Sequence, residues 1–148
     1  MPEKSTLKRA AKDRREGKSP STQAGEFVRQ EMHHIREGKH GAKSAKQAIA
    51  IGLSEARRAG VPLAPPKKGE AKPKTRRSAQ RAVRAGKRGT KKVSARRSRA
   101  VKGVLRREGR SAASHRALSR QAHSAARRRT RSDRSAAARK AARTRARA

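Results

Sequence analysis

The feature that most constrains this chain is the uneven distribution of its positive charge. The 148 residues include 45 Lys and Arg but only 10 Asp and Glu, a formal net charge of +35. Residues 1–66 carry 14 basic and 7 acidic side chains (net +7), whereas residues 67–148 carry 31 and 3 (net +28). Like charges at this density repel one another and oppose a compact state. We therefore expect the C-terminal half to fold poorly in free solution.

Apolar side chains are scarce as well. They make up 31% of the chain, and Phe27 is the single aromatic residue. Low hydrophobicity with high net charge is typical of chains that cannot offset the entropy of ordering. We therefore predict a mostly α-helical protein with extensive disorder, comprising a small αα-hairpin module and a long basic Ala/Arg/Lys-rich tail with transient helices. The predicted parts are a disordered basic lead (1–20), the hairpin (21–63), a Pro/Lys linker (64–75) and a low-complexity tail (76–148).

The first hairpin helix is predicted from apolar residues spaced by four, four and three positions. Such spacing places side chains on one helical face. Ser21 or Thr22 is expected to cap the start of this helix, and Gly38 to end it. The stripe consists of Ala24, Val28, Met32 and Ile35.

The second hairpin helix is predicted from a capping box, in which Ser44 caps the helix and Gln47 reaches back. Gly60 is the expected terminator. The apolar residues of the two helices are few for a module of this size, so we expect self-association or ordering on a partner. The residues assigned to the hairpin core or to a partner-binding face are Phe27, Val28, Met32, Ile35, Ile49 and Leu53.

The tail is predicted to bind phosphate groups. Residues 67–148, which comprise the tail and most of the linker, contain 22 Arg and 9 Lys, and arginine offers a two-pronged fork of N–H donors to phosphate. Its helix-forming segments (77–85, 93–107, 114–129 and 132–147) are expected to become ordered on a polyanion. The absence of aromatic residues from the tail disfavours stacking on single-stranded bases, which favours duplex DNA. The assigned residues are Arg76, Arg77, Arg81, Arg84, Lys87, Arg88, Lys91, Lys92, Arg96, Arg97, Arg99, Arg106, Arg107, Arg110, Arg127, Arg128, Arg129, Arg139, Lys140 and Arg143.

A second phosphate site is predicted at the loop between the hairpin helices. The loop places cations beside the N–H groups that open the second helix, an arrangement suited to anions. The alternative is an ordinary turn whose lysines only keep it soluble. The residues assigned to nucleic acid in the module are Lys39, His40, Lys43, Lys46, Arg57 and Arg58.

Other classes of site find little support in the sequence. There is no cysteine, so disulfides and thiolate metal sites are excluded. The candidate metal ligands are His33, His34 and His40, with Glu37 one helical turn from His33. Because the neighbours His33 and His34 cannot share a helical face and spacing supplies no third ligand, we predict no metal and no cofactor. No paired carboxylates, nucleophile motif or phosphate-binding loop is present, and we do not expect an enzyme. The longest apolar run (48–53) is far shorter than the roughly 20 residues of a membrane span. Nothing resembles a secretory signal, and we expect the bacterial cytoplasm and nucleoid.

Two stretches resemble a known family. Residues 25–61 read GEFVRQEMHHIREGKHGAKSAKQAIAIGLSEARRAGV, and residues 114–122 read SHRALSRQA. The first, about a quarter of the chain, resembles the core of a functionally uncharacterised family of small basic bacterial proteins. Some members of that family carry labels such as DNA-binding protein or plasmid stabilisation protein. The tail is also similar, in composition only, to linker-histone-like bacterial proteins.

These observations lead to one principal hypothesis and two alternatives. The principal hypothesis is a nucleoid- or plasmid-associated protein that binds duplex DNA through phosphate contacts with little sequence specificity. The first alternative is an adaptor whose hairpin docks a protein partner while the tail holds it on DNA. The second is a basic protein associated with RNA or the ribosome, because phosphate electrostatics do not separate RNA from DNA.

Overall fold

Helices make up most of the described part of the chain. The computed structural model describes residues 2–89 and 94–146, which contain seven α-helices and one short 3₁₀ turn. The turn, Ser111–Ala113, lies between the fifth and sixth helices. The α-helices are α1 (Lys4–Arg15), α2 (Pro20–Arg36), α3 (Ala45–Arg58), α4 (Pro73–Lys87), α5 (Ala95–Arg107), α6 (His115–Arg127) and α7 (Arg131–Arg145).

Helices α2 and α3 form the predicted hairpin, with the predicted terminators. Gly38 and Gly60 adopt positive φ angles of 78° and 90°, a conformation that suits glycine. Ser44 caps α3 by accepting a hydrogen bond from the Gln47 backbone N–H at 3.2 Å. Helix α2 begins two or three residues earlier than predicted, because Ser19 rather than Ser21 or Thr22 is the cap and Pro20 takes the first helical position.

Helix α1 packs against α2, so the prediction of a disordered lead is wrong. Ala10 of α1 is buried in one apolar cluster with Ala24, Phe27 and Ala56. Thr6 is fully buried, whereas Leu7, the largest apolar side chain of α1, is 41% exposed. The buried face of α1 thus consists of small side chains, which a count of large apolar residues overlooks.

Helix α4, in the basic half of the chain, packs on α3. Ala79 and Ala82 are its buried residues. The two backbones approach closely, since a Cβ atom added at Gly86 would lie 2.1 Å from the carbonyl oxygen of Arg57. A glycine is therefore needed where α4 passes the end of α3.

The end of α5 and the residues that follow it cover the hairpin loop. The backbone N–H groups of Gly41 and Ala42 donate to the carbonyl oxygens of Leu105 (2.8 Å) and Gly109 (3.1 Å). Ala112 and Ala113 of the 3₁₀ turn are buried in a second apolar cluster, formed by residues of α2, the loop and α3. Leu118 of α6 packs against the same cluster. The tail thus supplies part of the core.

The prediction of extensive disorder is therefore wrong, although the tail helices lie close to the predicted segments. In the described residues, ten of the thirteen buried apolar residues are alanine. Alanine loses no side-chain entropy on folding, and its small size lets helices approach closely. Charge repulsion is limited because α5, α6 and α7 bury no basic residue and direct their cations into solvent.

None of the helices in residues 2–89 and 94–146 is long and apolar enough to cross a membrane.

Replacing Gly41 by alanine should detach the end of α5 and the residues that follow it. A Cβ atom at this position would lie 1.9 Å from the carbonyl oxygen of Glu108, so the two segments must separate. We expect a loss of about 1–3 kcal/mol in the free energy of unfolding, the usual cost of overpacking. Thermal unfolding and faster exchange of the Ala42 amide hydrogen would measure it.

Gly103→Ala is the matched control, because nothing lies within 4 Å of the added atom and Gly103 lies within α5. Alanine favours helix over glycine by roughly 1 kcal/mol, so this variant should be as stable as the parent or more so. Equal effects of the two substitutions would contradict the observed docking of residues 105–109 on the loop.

Candidate nucleic-acid interface

Helix α6 carries a basic stripe on the side opposite its buried face. Leu118 faces the core. Four exposed residues are spaced by four, three and four positions, which keeps them on one side of a helix, about half a turn from Leu118. They are Arg116, Arg120, His123 and Arg127. Three members of the stripe line a shallow surface pocket together with Ser124 and Arg128.

Our sequence-based set included Arg127 but missed Arg116, Arg120 and His123. In this part of the tail the set relies on the run of three adjacent arginines, 127–129, and adjacent residues on a helix point in different directions. The helical spacing of the stripe is the signal that would have found it. Arg127, Arg128 and Arg129 all remain exposed at the end of α6.

Helix α7 is surrounded by solvent, and every residue of it is exposed. Its start is fixed by a reciprocal cap, in which the Asp133 N–H donates to Thr130 Oγ1 at 3.1 Å and the Thr130 N–H donates to Asp133 Oδ2 at 3.3 Å. Hydrogen bonds from Thr130 hold the pKa of Asp133 below its ordinary value. Arg139 and Arg143 lie one turn apart on α7, beside Lys140.

The remaining tail cations are divided between α4, α5 and the segments that follow them. Arg76 is half-buried on α4, and the others that the structure describes are exposed. Arg110 lies over the turn at Gly38. Lys91 and Lys92 fall outside the described residues. The exposed members are Arg77, Arg81, Arg84, Lys87 and Arg88 in and just after α4, and Arg96, Arg97, Arg99, Arg106, Arg107 and Arg110 in and after α5.

Ion pairs are concentrated at the other end of the chain. The acidic partners of all the salt bridges found among residues 2–89 and 94–146 lie between Glu3 and Glu37. The basic partners lie between Arg9 and His40. Within the described part of the tail, arginine and lysine side chains other than the half-buried Arg76 therefore face solvent, and none has a carboxylate partner within 4 Å.

The predicted module residues have different surroundings. Lys43, Lys46 and Arg58 are exposed. Lys39 lies 2.9 Å from Glu37 Oε2 and 3.5 Å from Glu3 Oε1, and these carboxylates, chiefly Glu37, raise its pKa. The charge of Lys39 is thus partly balanced within the protein.

Arg57 is buried, and burial lowers its pKa. Its guanidinium donates to the carbonyl oxygens of Leu63 (3.2 Å) and Ala64 (3.0 Å), which holds the chain after α3 against that helix. A phosphate contact by Arg57 would require these bonds to open, so Arg57 does not belong to the exposed cations of the protein.

The backbone of the hairpin loop is also engaged. Gly41 and Ala42 donate to residues at and after the end of α5, the Lys43 N–H donates to Gln47 Oε1 at 3.2 Å, and the Gln47 N–H donates to Ser44. Of these N–H groups, that of Gln47 belongs to the first turn of α3, where the sequence predicts the phosphate site.

The apolar hairpin residues lie inside the protein. Phe27, Met32 and Ile35 are buried. Val28, Ile49 and Leu53 are partly buried and pack against the two clusters. They form core contacts, and other parts of the same chain cover them.

The structure brings together three residues that we did not group from the sequence. Glu31, His34 and His40 place ligand-type atoms within 4.8 Å of one another. His33, which we considered with the other histidines, instead faces Glu37 across one helical turn at 3.3 Å. His40 joins Glu31 and His34 because the turn at Gly38 folds the loop back onto α2, which helical spacing alone does not reveal.

Glu31 has an unusual environment for a carboxylate. Its side chain is 2% exposed, and Oε2 lies 3.6 Å from His40 Nε2. Burial raises the pKa of Glu31 to about 7; His40 opposes this rise and Glu55 adds to it. A neutral Glu31 is therefore favoured below pH 7.

Glu31 should make folding stability depend on pH. Its folded-state pKa lies above the ordinary 4.5, so the folded state holds this proton more tightly, and stability falls as pH rises from about 4.5 to about 7. Glu31→Gln should remove this contribution, at most about 1.4 kcal/mol per pH unit for one proton. Urea unfolding at several pH values in a chelating buffer would measure it.

Glu37→Gln is the control, because Glu37 is exposed and Lys39, chiefly, lowers its pKa. Its contribution is present above the ordinary pKa and is lost at lower pH, outside the Glu31 window. Identical pH profiles for the parent and Glu31→Gln would contradict the raised pKa.

Comparison with known proteins gives one match. Residues 17–68, about a third of the chain, match the model of a family described as a family of unknown function (DUF6496). The matched segment contains α2, the loop and α3, and so includes the Glu31, His34 and His40 group. The likeness to an uncharacterised family agrees with the resemblance noted for residues 25–61. No curated protein and no solved structure matches the chain.

Proposed function

We propose that this protein binds nucleic acid, principally duplex DNA, through phosphate contacts made by its C-terminal helices. The contact surface consists of the α6 stripe, the arginines that follow it and the exposed cations of α7. Exposed cations of α4 and α5 extend it. Nucleoid or plasmid association is the cellular setting that we propose.

The observation that carries this proposal is the separation of charge in the fold. Carboxylates of the first 37 residues pair with neighbouring cations, whereas the described tail helices present arginines to solvent without such partners. Each phosphate that replaces solvent at such a surface releases condensed counterions, which favours binding most at low salt.

Little sequence specificity is expected from this surface. Reading bases requires side chains fixed in a groove, and reading single strands requires aromatic rings for stacking. Phe27, the single aromatic residue, is fully buried. Arginines on exposed helices suit backbone contacts, which position a protein on the duplex without reading its sequence.

The adaptor alternative receives no support from an exposed apolar face on the hairpin. The residues that it assigned to a partner, such as Phe27, Met32 and Ile35, are buried within the chain itself. The RNA alternative shares the same phosphate chemistry, so it is an outcome that the binding experiment must separate.

Removing the α6 stripe should lower affinity and its dependence on salt. The test variant replaces Arg116, Arg120 and Arg127 with glutamine, and a duplex of mixed sequence is titrated by fluorescence anisotropy at several salt concentrations. If each arginine meets one phosphate, the slope of log K against log salt should fall by roughly 2.7, three times about 0.9. Structured RNA is tested as a competitor in the same assay.

A control variant with equal loss of charge replaces Lys12, Lys18 and Arg29, which pair with acidic neighbours at 2.8–3.8 Å. This control should change the slope of log K against log salt much less than the α6 variant does. Equal slopes for the two variants would show diffuse attraction and overturn the assigned surface. Affinity that barely changes with salt would overturn the proposal of phosphate binding, and stronger competition by RNA than by duplex DNA would overturn the choice of DNA.

A further inference from the structure

The group formed by Glu31, His34 and His40 lies at one end of the hairpin, in the part of the chain with the fewest excess cations. Glu31 and His34 are three residues apart on α2 and therefore share a helical face. His40 comes from the loop, whose position is fixed by the hydrogen bonds of Gly41 and Ala42 to residues 105–109. One helix and one anchored loop thus bring a carboxylate and two imidazoles together.

The carboxylate of Glu31 lacks the partners that a buried charge needs. Oε1 is buried and has no hydrogen-bond partner among the described residues. The Nε2 atom of His40 lies 3.6 Å from Oε2, which is longer than a good hydrogen bond. A buried carboxylate is normally paired or coordinates a metal. A cation held between Glu31 and the imidazoles would satisfy it.

The two imidazoles have outer contacts of the kind that metal ligands use. His40 Nδ1 lies 3.2 Å from the carbonyl oxygen of Gly41, so a hydrogen on Nδ1 leaves the Nε2 lone pair facing Glu31. His34 Nε2 lies 2.8 Å from Glu3 Oε1. A carbonyl or carboxylate beside the second ring nitrogen fixes the tautomer and orients the ring of a metal-binding histidine.

We propose that Glu31, His34 and His40 form a binding site for one divalent transition-metal ion, of which Zn²⁺ is the reference case. Two imidazoles and one carboxylate suit zinc, cobalt or nickel better than magnesium or calcium, which prefer oxygen ligands. Ligand atoms around a tetrahedral zinc ion lie roughly 3.3 Å apart, so the side chains must close by up to roughly 1.5 Å. Three protein ligands leave a fourth position for water.

The site has a structural consequence for the fold. Its ligands join α2 to the loop that the end of α5 and the following residues cover, so a bound ion would strengthen the region where both halves of the chain meet. A ligand that binds the folded but not the unfolded chain raises the stability of the folded state. This inference does not depend on the nucleic-acid proposal, and it concerns different residues.

Metal binding can be measured on the full chain after removal of nucleic acid and chelation of metals. Zn²⁺ is titrated by calorimetry, and Co²⁺ is added separately to record its visible absorption, which reports the coordination geometry. We expect one Zn²⁺ per chain with a dissociation constant of about 1 µM or lower, and an increase in the thermal midpoint. Glu31→Gln and His40→Gln should each weaken binding by at least about 10- to 100-fold and abolish the Zn²⁺-dependent thermal shift.

His33→Gln is the matched control, because His33 adjoins His34 in sequence but its side chain is 71% exposed and faces Glu37. It should bind Zn²⁺ like the parent. Circular dichroism verifies that each variant folds. If Glu31→Gln does not fold, His40→Gln alone tests the site. Weak binding at several sites, or equal losses in His33→Gln and His40→Gln, would overturn the proposal.

Discussion

Close contact between helix backbones is the interaction on which this structure depends. A Cβ atom added at Gly52 of α3 would lie 2.7 Å from the Cα atom of Val28 in α2, and Gly86 and Gly41 allow still closer approaches elsewhere. Alanines line most of the buried surfaces between these points. Dispersion attraction falls off steeply with distance. Small residues let the helix backbones approach closely, and the backbones then make van der Waals contacts that large side chains would make in other proteins. A chain with one aromatic residue can therefore bury two clusters and hold part of its basic half against them.

The dependence on glycine and alanine contacts explains which parts of the fold could be predicted from the sequence. The hairpin was predictable because Ser44, Gly38 and Gly60 act locally, and large apolar residues repeat at helical spacing. The tail helices were predictable in position, but their stability was not. An estimate of stability that counts only large apolar residues treats alanine as neutral. It also cannot foresee that Ala112 and Ala113 meet a cluster formed by residues 32–48, far earlier in the chain.

The candidate sites were predictable to a different extent. Abundant arginine identified the basic half, and helical spacing would have identified the α6 stripe. The environment of Arg57 was not predictable, because its partners are backbone carbonyls placed by the turn after α3. The Glu31, His34 and His40 group depends on how the loop folds back, a tertiary property that local pattern does not contain.

The full exposure of α7 has a thermodynamic consequence. A helix surrounded by solvent gains its stability from intrinsic propensity, its cap and the screening of its own charges, and a helix of about 15 residues is marginal on those terms. Its helical content should therefore change gradually with temperature and ionic strength, while α2 and α3 unfold together in one sharp transition. Two parts of a single short chain thus respond differently to the same change in conditions: α7 changes its helical content continuously, whereas α2 and α3 change only near their unfolding transition.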